Sequence, residues 1–279
     1  MTHWFTGDGG VRLAADLFGP DSGTPVVLIG GLGQTRHAWR RVALRLAEDG
    51  YRAITLDFRG HGESDRAHDG DYSYPRQSDD LAAVARQVGR PVVLAGASLG
   101  GKICLSAAGT HGDAVCAGLV LIDAVPRSNA AGVASVSQSS QMRAEGFDTL
   151  DDAARQVAAG RGAAFVPGDG ERLRRNMRQD EQGRWHWHWD GAYRDPVHKI
   201  GLGAGSDWLQ SIAPNVTVPS LLTWCELSDV VDAEGIAALK AVLPQLEVEI
   251  IPGARHMIVG DQNDVFADAL IGFLLRHKL

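Results

Sequence analysis

The sequence is poor in several kinds of residue that mark large classes of protein. It contains only three cysteines among 279 residues, too few and too scattered for a disulfide framework or a zinc site. No apolar run approaches the roughly 18 residues that cross a bilayer, so we expect no membrane partner. Basic residues are in the minority, and the formal net charge of −7 argues against a nucleic-acid partner.

The first residues of the chain lack a basic segment followed by an apolar core. We therefore expect no signal peptide and a cytoplasmic location. The composition, 44% hydrophobic and 22% charged, is ordinary for a globular protein with a sizeable core. A chain of this length suffices for one large α/β domain with an insertion, or for two small domains.

Short buried strands alternate with helical patterns along most of the chain. Apolar runs at 26–29, 92–95 and 119–122 are typical of strands buried on both faces. Residues 3–18 predict an antiparallel hairpin that turns at Asp8–Gly10. This alternation predicts an α/β fold with a mainly parallel sheet covered by helices.

The alternation is interrupted from about residue 127 to residue 214. Helices are plausible near 148–160 and 169–179, and no long buried strand is visible there. We therefore predict a core formed by residues 1–126 and 215–279, with residues 127–214 inserted as a cap on the sheet.

The stretch from Pro91 to Gly101 predicts a strand, a tight turn and a helix. The sequence at 96–100 reads G-x-S-x-G, the pattern of a nucleophile elbow in that context. Its two glycines permit a sharp turn and close packing of helix on strand. Ser98 is thus the candidate nucleophile; the competing interpretation is a serine that only caps the helix.

A serine nucleophile needs a base, and the base needs an acid that orients it. After an elbow serine the chain order is acid and then histidine, which selects Asp229 and His256. Both residues follow predicted strands, so they would meet Ser98 at the carboxyl edge of the sheet. Asp123, which ends an earlier strand, and Asp232 are the alternatives for the acid.

Two backbone N–H groups are candidates for the oxyanion hole. One belongs to Leu99, directly after the nucleophile, at the N-terminus of the predicted helix. The other belongs to Leu32, in the loop after the first buried strand, where Gly30 and Gly31 permit a close approach of the backbone.

These motifs together resemble the alpha/beta-hydrolase fold superfamily, in its capped, cofactor-free branch of esterases, lactonases and so-called haloperoxidases. The resemblance covers the core and implies a sheet of about eight mostly parallel strands, flanked by helices, with a helical cap insertion and no cofactor. Some relatives place the acid where Asp123 stands. The matching segments are Gly30–Leu32, Asp57–Ser64, Gly96–Gly101, Leu227–Asp229 and His256–Met257.

Two positions depart from the family pattern. The oxyanion loop commonly begins His-Gly, whereas this chain has Gly30 and Gly31. Because the donor is a backbone N–H, this change should reshape the loop without removing the hole. The residue before the catalytic histidine is usually glycine, and here it is Arg255, which we expect to point into water.

Several side chains have both an ordinary and a functional interpretation. We interpret His61 as part of a structural turn with Asp57 and Arg59, and Lys102 as a solvated helix residue. Between Arg184 and Asp190, tryptophan and histidine alternate, with the tryptophans expected to pack the cap onto the core. The His-x-His spacing lacks a third ligand, so we predict no metal. The candidate substrate-pocket residues are Gly31, Trp39, Met142, Trp187 and Met257.

The function expected from these residues is hydrolysis of a carboxylic ester or lactone of a small, fairly apolar substrate through an acyl-enzyme on Ser98. Perhydrolysis, carbon–carbon bond hydrolysis and lyase chemistry on the same scaffold are the alternatives, followed by a receptor without catalysis. Serine at the elbow excludes the dehalogenases and epoxide hydrolases, which use aspartate there. The partner is a small molecule, and a homo-oligomer is compatible with the sequence.

Overall fold

The computed structural model describes residues 1–140, 143, 145–160, 162–194, 205–256 and 263–279. Its main sheet has eight strands, in the order β1-β2-β4-β3-β5-β6-β9-β10, and β7 and β8 form a separate two-stranded sheet. The strands are β1 (His3–Thr6), β2 (Arg12–Phe18), β3 (Pro25–Ile29), β4 (Arg52–Leu56), β5 (Val92–Ala97), β6 (Cys116–Ile122), β7 (Met177–Gln179), β8 (Trp185–Trp187), β9 (Ser220–Leu227) and β10 (Leu246–Arg255).

Helices connect most of the strands. Within the described residues they are α1 (Arg40–Glu48), α2 (Tyr74–Val88), α3 (Leu99–His111), α4 (Ala130–Ser139), α5 (Leu150–Gly160), α6 (Asp169–Leu173), α7 (Ser206–Ile212), α8 (Ala233–Val242) and α9 (Asn263–His277). None of these described helices is both long and apolar enough to cross a bilayer.

The pairing of the strands confirms the predicted α/β architecture. β1 pairs antiparallel with β2, and β2 pairs antiparallel with β4. The remaining pairs of the main sheet are parallel. The hairpin of β1 and β2 turns at Asp8–Gly10, as the sequence predicts.

The central strands are buried on both faces, which explains their continuous apolar runs. Val26 and Leu28 belong to a core cluster that includes side chains of α1 and α9. Val27 and Ile29 belong to a second cluster, which includes side chains of α2 and α3. Two layers of helices therefore cover the sheet, and its carboxyl edge is where the loops with polar residues emerge.

The described residues between β6 and β9 contribute no strand to the main sheet. They form α4 to α7 and the β7–β8 hairpin. The helix predicted near 148–160 is α5, but the one predicted over 169–179 ends early: α6 stops at Leu173 and the chain enters β7 at Met177. Residues 127–214 are called the cap segment below.

Candidate active site

The turn between β5 and α3 holds Ser98 in a strained backbone conformation, with φ 51° and ψ −116°. A positive φ is uncommon for a residue with a side chain and recurs at functional sites. The turn is possible because Gly96 packs against the backbone of Gly100, where a Cβ atom would clash. The sequence therefore forms the predicted nucleophile elbow.

Ser98 and His256 meet at the carboxyl edge of the sheet. Nε2 of His256 lies 3.1 Å from Oγ of Ser98, and Nδ1 lies 2.6 Å from Oδ2 of Asp123. With a proton on Nδ1, the imidazole donates to the carboxylate and leaves Nε2 free to accept the serine proton. The three side chains form a continuous hydrogen-bonded chain although they are far apart in sequence.

Asp123 is fixed in its orientation by the chain around it. It follows β6 directly, has a positive φ of 47°, and is 1% exposed. Its Oδ1 accepts the N–H of Cys225 at 3.2 Å, and its Oδ2 accepts the hydroxyl of Ser228 at 2.7 Å. These bonds hold the carboxylate against His256.

The prediction that Asp229 orients His256 is wrong in this structure. Asp229 is exposed, whereas His256 bonds to Asp123. The physical reason is register: Thr223 of β9 lies level with Ile122, the last residue of β6. Asp229 comes six residues after Thr223, whereas Asp123 comes one residue after Ile122. Asp229 therefore lies beyond the edge of the sheet at which Asp123 contacts His256. Ser228 occupies the inward position of the loop, where its hydroxyl also accepts the N–H of Val231 at 3.0 Å.

Asp232, the other alternative for the acid, begins a helix instead. Its Oδ1 accepts the N–H of Gly235 at 2.9 Å, which is the bond of an N-cap. Its Oδ2 accepts the side-chain amide of Asn129 at 3.1 Å. These hydrogen bonds to Gly235 and Asn129 lower the pKa of Asp232. Its carboxylate stabilises the start of α8 and joins that helix to the cap segment.

The loop after β3 brings its backbone close to the nucleophile. A Cβ atom on Gly31 would lie 3.2 Å from the Cβ atom of Ser98. The N–H of Gly31 donates to Oε1 of Gln34 at 2.7 Å, and the N–H of Gly33 donates to Nε2 of His61 at 3.2 Å. The flanking N–H groups are thus engaged within the protein, and Leu32 between them lines the cavity at Ser98.

Leu99 is the other residue predicted to donate to an oxyanion. It is the first residue of α3, so its N–H has no carbonyl partner within the helix. It also lines a cavity that contains Ser98 and His256. Leu32 and Leu99 thus each line a cavity that contains Ser98, and their role as oxyanion donors stays a prediction.

The side chains of His61 and His188 hold the loop after β3, which the sequence predicts to carry an oxyanion donor. Nδ1 of His188 accepts the N–H of Gly62 at 2.7 Å, and its Nε2 lies 3.1 Å from the carbonyl oxygen of Gly33. Together with His61, which accepts the N–H of Gly33, the histidines hold both polar groups of that glycine. Burial lowers the pKa of His188 to about 4 and that of His61 well below its usual value. Both rings are therefore neutral, as these acceptor roles require.

The segment of alternating tryptophan and histidine is more deeply buried than its sequence suggests. Trp189 is fully buried, and its ring stacks on that of His61 at a centroid distance of 6.3 Å. His188 is also buried and contacts Gly33 in the loop after β3. His186 instead bonds to Asp180 at 2.8 Å. The tryptophans pack the cap segment onto the core, and the histidines make separate contacts.

The turn that contains His61 is held by buried ion pairs. Arg36 donates from Nη1 to Asp57 at 2.6 Å, and Arg59 donates from Nε to Asp80 at 2.6 Å. All four side chains are almost completely buried. The structural interpretation of Asp57 and Arg59 is correct, since both support the loop without lining the cavities at Ser98.

Two cavities meet at Ser98 and His256. The larger has a volume of about 80 Å³ and is lined by the loop after β3 and by side chains of the cap segment. The smaller has a volume of about 20 Å³ and extends over α3. The larger cavity therefore offers the greater space to a substrate whose carbonyl reaches Ser98.

The predicted pocket residues have different outcomes. Gly31 and Trp187 line the larger cavity. Trp39 does not line either cavity: it is 1% exposed and belongs to the core cluster that includes side chains of α1 and α9. Met142 and Met257 lie outside the described residues. Arg255 is exposed, as predicted.

The sequence interpretation of Lys102 as a solvated residue is wrong. Lys102 is 7% exposed and lines the smaller cavity together with Ser98 and His256. Burial lowers its pKa to about 8. Helical side chains lean toward the N-terminus of their helix, which directs Lys102 back toward the elbow. The sequence signal that could have identified it is its position one turn after the nucleophile.

The chain is similar in sequence to known enzymes over most of its length. An esterase of Mycobacterium tuberculosis is 30% identical over 264 residues, which cover 89% of this chain and 82% of that protein. The 2-(acetamidomethylene)succinate hydrolase of Mesorhizobium japonicum is 26% identical over 268 residues, covering 94% and 92%.

Comparison with solved structures also finds similarity over almost the whole chain. The solved structure of E-2-(acetamidomethylene)succinate hydrolase superposes with a TM-score of 0.79 at 25% identity, covering 98% of both chains. The sequence profile of the alpha/beta hydrolase fold matches residues 24–262, most of the chain. The chain therefore belongs to the alpha/beta hydrolase family.

Proposed function

We propose that this protein is a serine hydrolase that cleaves a carboxylic ester or lactone of a small, fairly apolar substrate. The observation that carries the proposal is the hydrogen-bonded chain from Ser98 through His256 to Asp123. It lies beside two backbone positions suited to an oxyanion. A hydroxyl, a base and an oriented acid in this order are what acyl transfer to serine requires.

The reaction begins when Oγ of Ser98 attacks the substrate carbonyl while Nε2 of His256 accepts the proton. Asp123 stabilises the resulting imidazolium through its bond to Nδ1. The negative oxygen of the tetrahedral intermediate receives the N–H groups of Leu32 and Leu99. His256 then protonates the leaving alcohol, and an acyl group remains on Ser98.

Release of the acyl group repeats these steps with water. His256 removes a proton from a water molecule, the hydroxide attacks the acyl carbonyl, and the same N–H groups hold the oxyanion. Collapse of the intermediate returns the proton to Ser98 and frees the carboxylic acid. No step requires a group that the chain lacks.

The expectation of an apolar substrate is supported by the larger cavity. Its walls include apolar side chains of the cap segment and the tryptophans Trp187 and Trp189. Aromatic and aliphatic walls favour apolar acyl or alcohol groups because contact with them removes apolar surface from water. Val136, Val157 and Leu173 complete this surface.

The names of two relatives support hydrolysis as the reaction class. One is called an esterase, and another is called a hydrolase of 2-(acetamidomethylene)succinate. We therefore place ester hydrolysis ahead of perhydrolysis, carbon–carbon bond hydrolysis and lyase chemistry, which can use the same nucleophile.

The test is turnover of p-nitrophenyl esters from acetate to octanoate by the wild-type protein and by the Ser98→Ala variant. We expect turnover that disappears in the variant, with a chain-length optimum that reports the size of the cavity. Equal rates with both proteins, or no turnover of any ester, would contradict the proposal.

A further inference from the structure

Asn176 is a buried polar residue in the wall that the cap segment forms along the larger cavity. The residue is 4% exposed, and it lines this cavity together with Ser98 and His256. Its backbone carbonyl oxygen accepts the N–H of His188 at 3.2 Å, whereas its side-chain amide makes no hydrogen bond to any other residue that the structure describes. A buried amide without a partner is uncommon in native structures, because it has lost its hydrogen bonds to water.

Gln34 brings a second unpartnered amide group to the same cavity, from the side of the core. The residue is 5% exposed and lines the larger cavity. Its Oε1 accepts the N–H of Gly31 at 2.7 Å, and this bond fixes the orientation of the amide, since only the oxygen can accept. Its Nε2 is buried and has no hydrogen-bond partner among the described residues. Donor groups from the core and from the cap segment are therefore unused at one cavity.

The larger cavity is polar in places but has few groups that can carry a charge. The described residues that line it include no lysine, arginine, aspartate or glutamate. The hydroxyls of Ser139 and Ser140 both donate to the carbonyl oxygen of Val136, at 2.9 and 2.8 Å. A charged ligand group would lose its water shell there without a counter-ion, whereas a neutral oxygen can accept an amide N–H.

The volume of the larger cavity limits the size of the group that enters it. At about 80 Å³ it has room for a few non-hydrogen atoms, since a protein cavity of roughly 150 Å³ binds one benzene molecule. A polar atom of the substrate that lies in this cavity is therefore only a few bonds from the carbonyl at Ser98.

We propose that the larger cavity is a subsite for a neutral oxygen of the substrate, in which the side-chain amides of Asn176 and Gln34 donate to that oxygen while the ester carbonyl lies at Ser98. This inference rests on the proposed function and names the substrate class: an ester or lactone whose short acyl or alcohol group carries an ether, hydroxyl or carbonyl oxygen. A hydrocarbon group of the same shape leaves both amides without a partner, so it should react less well.

The test compares pairs of esters in which an ether oxygen replaces one CH₂ group. The first pair, p-nitrophenyl methoxyacetate and p-nitrophenyl butyrate, places the oxygen on the acyl side. The second pair, 2-methoxyethyl acetate and butyl acetate, places it on the alcohol side. Each ratio of kcat/KM is divided by the ratio of the hydroxide-catalysed rate constants, because the ether oxygen itself activates the ester. We expect this corrected ratio to exceed about fivefold for at least one pair, the effect of one neutral hydrogen bond.

Substitutions then assign the preference to residues. Asn176→Leu keeps the approximate size of the side chain but removes the amide, and it should reduce the corrected ratio by at least about threefold. Asn176→Asp keeps an acceptor but removes the donor, and it should have the same effect. Gln34→Met should also reduce the ratio, although kcat falls for both esters because Gly31 loses its acceptor. Gln182→Leu, which removes an exposed amide from the cap segment, is the matched control and should keep the wild-type ratio.

Failure of this inference is distinguishable from failure of the proposed function. Turnover that requires Ser98 but gives a corrected ratio near one for both pairs overturns the subsite alone, as does a preference that Asn176→Leu retains. If no ester is hydrolysed, saturation-transfer NMR of the wild-type protein with N-methyl-2-methoxyacetamide and N-methylbutanamide decides. Tighter binding of the ether supports the subsite, and equal or absent binding overturns it. The wild-type ratio and this NMR measurement remain decisive if a variant does not fold.

Discussion

Nδ1 of His256 lies 2.6 Å from Oδ2 of Asp123, a residue that directly follows β6 and not the later strand β9. The two strands that carry these residues are not neighbours in the sheet, because β9 lies between β6 and β10. The loop after β9 reaches over this gap and adds the hydroxyl of Ser228 to the same carboxylate oxygen. The loop after β6 therefore supplies the carboxylate, and the loop after β9 supplies a hydroxyl that helps to orient it.

The first prediction separates the two candidate acids. Asp123→Asn should lower kcat for a p-nitrophenyl ester by about 10⁴-fold, because an amide cannot stabilise the imidazolium or fix its tautomer. Asp229→Asn changes an exposed residue and should leave kcat within about twofold. Steady-state kinetics of the two variants, made in parallel, tests the assignment; the reverse order of effects would restore Asp229 as the acid.

The second prediction concerns the support of the oxyanion loop. His188→Ala removes the contact between the cap segment and Gly33 and should lower kcat by about tenfold to a hundredfold, the range expected from a small misplacement of catalytic groups. KM should change by a smaller factor than kcat. His186→Ala, in the same segment but bonded to Asp180, is the control. Equal losses of kcat in both variants would mean that His188 has no specific role.

The third prediction follows from the burial of His188. Burial lowers its pKa from about 6.5 to about 4, so folding favours the neutral ring. Above pH 6.5 the ring is neutral in both the folded and the unfolded chain, so His188 does not reduce the free energy of unfolding. As the pH falls from 6.5 towards 4, only the unfolded chain binds the proton, and the free energy of unfolding decreases. At 1.36 kcal/mol for each pKa unit, the decrease is about 3 kcal/mol.

Urea unfolding at several values between pH 7.5 and pH 4 measures this effect. The variant His188→Gln should show a flatter dependence of stability on pH than the wild-type protein. His3→Gln, which changes an exposed histidine of β1, serves as the control and should keep the wild-type dependence. A dependence that is unchanged in His188→Gln would show that protonation of other groups governs the loss of stability at low pH.

The fourth prediction concerns the approach of the oxyanion loop to the nucleophile. Gly31→Ala introduces a Cβ atom 3.2 Å from that of Ser98, so the loop must shift by a few tenths of an ångström. We expect kcat to fall by about tenfold or more, since each oxyanion donor contributes roughly 3–4 kcal/mol when well placed.

Gly272→Ala is the control for this substitution. Gly272 lies inside α9, where the nearest atom to a new Cβ is the end of the Arg276 side chain at 3.4 Å. That variant should keep the wild-type kcat and gain roughly 0.5–1 kcal/mol of stability from better helix propensity. A wild-type kcat in Gly31→Ala would contradict the proposed role of the loop.

Much of the fold and part of the site follow from local sequence patterns. Continuous apolar runs identify strands buried on both faces, and G-x-S-x-G between a strand and a helix identifies Ser98. His256 follows from chain order and from its place after the last strand. The fold is confirmed and the structure brings Ser98 and His256 together. Both results depend on a few neighbouring residues and on the rule that parallel strands end at one edge of the sheet.

The acid and the pocket depend on information that is not local. Asp123 and Asp229 both follow strands, and only the register of β6 against β9 shows which carboxylate reaches His256. Lys102 and Trp39 illustrate the same limit: helix and strand patterns do not reveal that the lysine faces a cavity and the tryptophan faces the opposite core. The burial of Lys102 and the contact between Asp123 and His256 depend on how distant parts of the chain pack, so local sequence patterns do not predict them.

The most direct test of the central claim is to trap the acyl-enzyme. The wild-type protein is mixed with p-nitrophenyl butyrate, quenched with acid during the first turnover, and analysed by intact mass and peptide mapping. We predict a burst of p-nitrophenol and one butyryl group on Ser98, with neither seen in Ser98→Ala. Hydrolysis without any burst or adduct, or an acyl group on another residue, would contradict nucleophilic catalysis by Ser98.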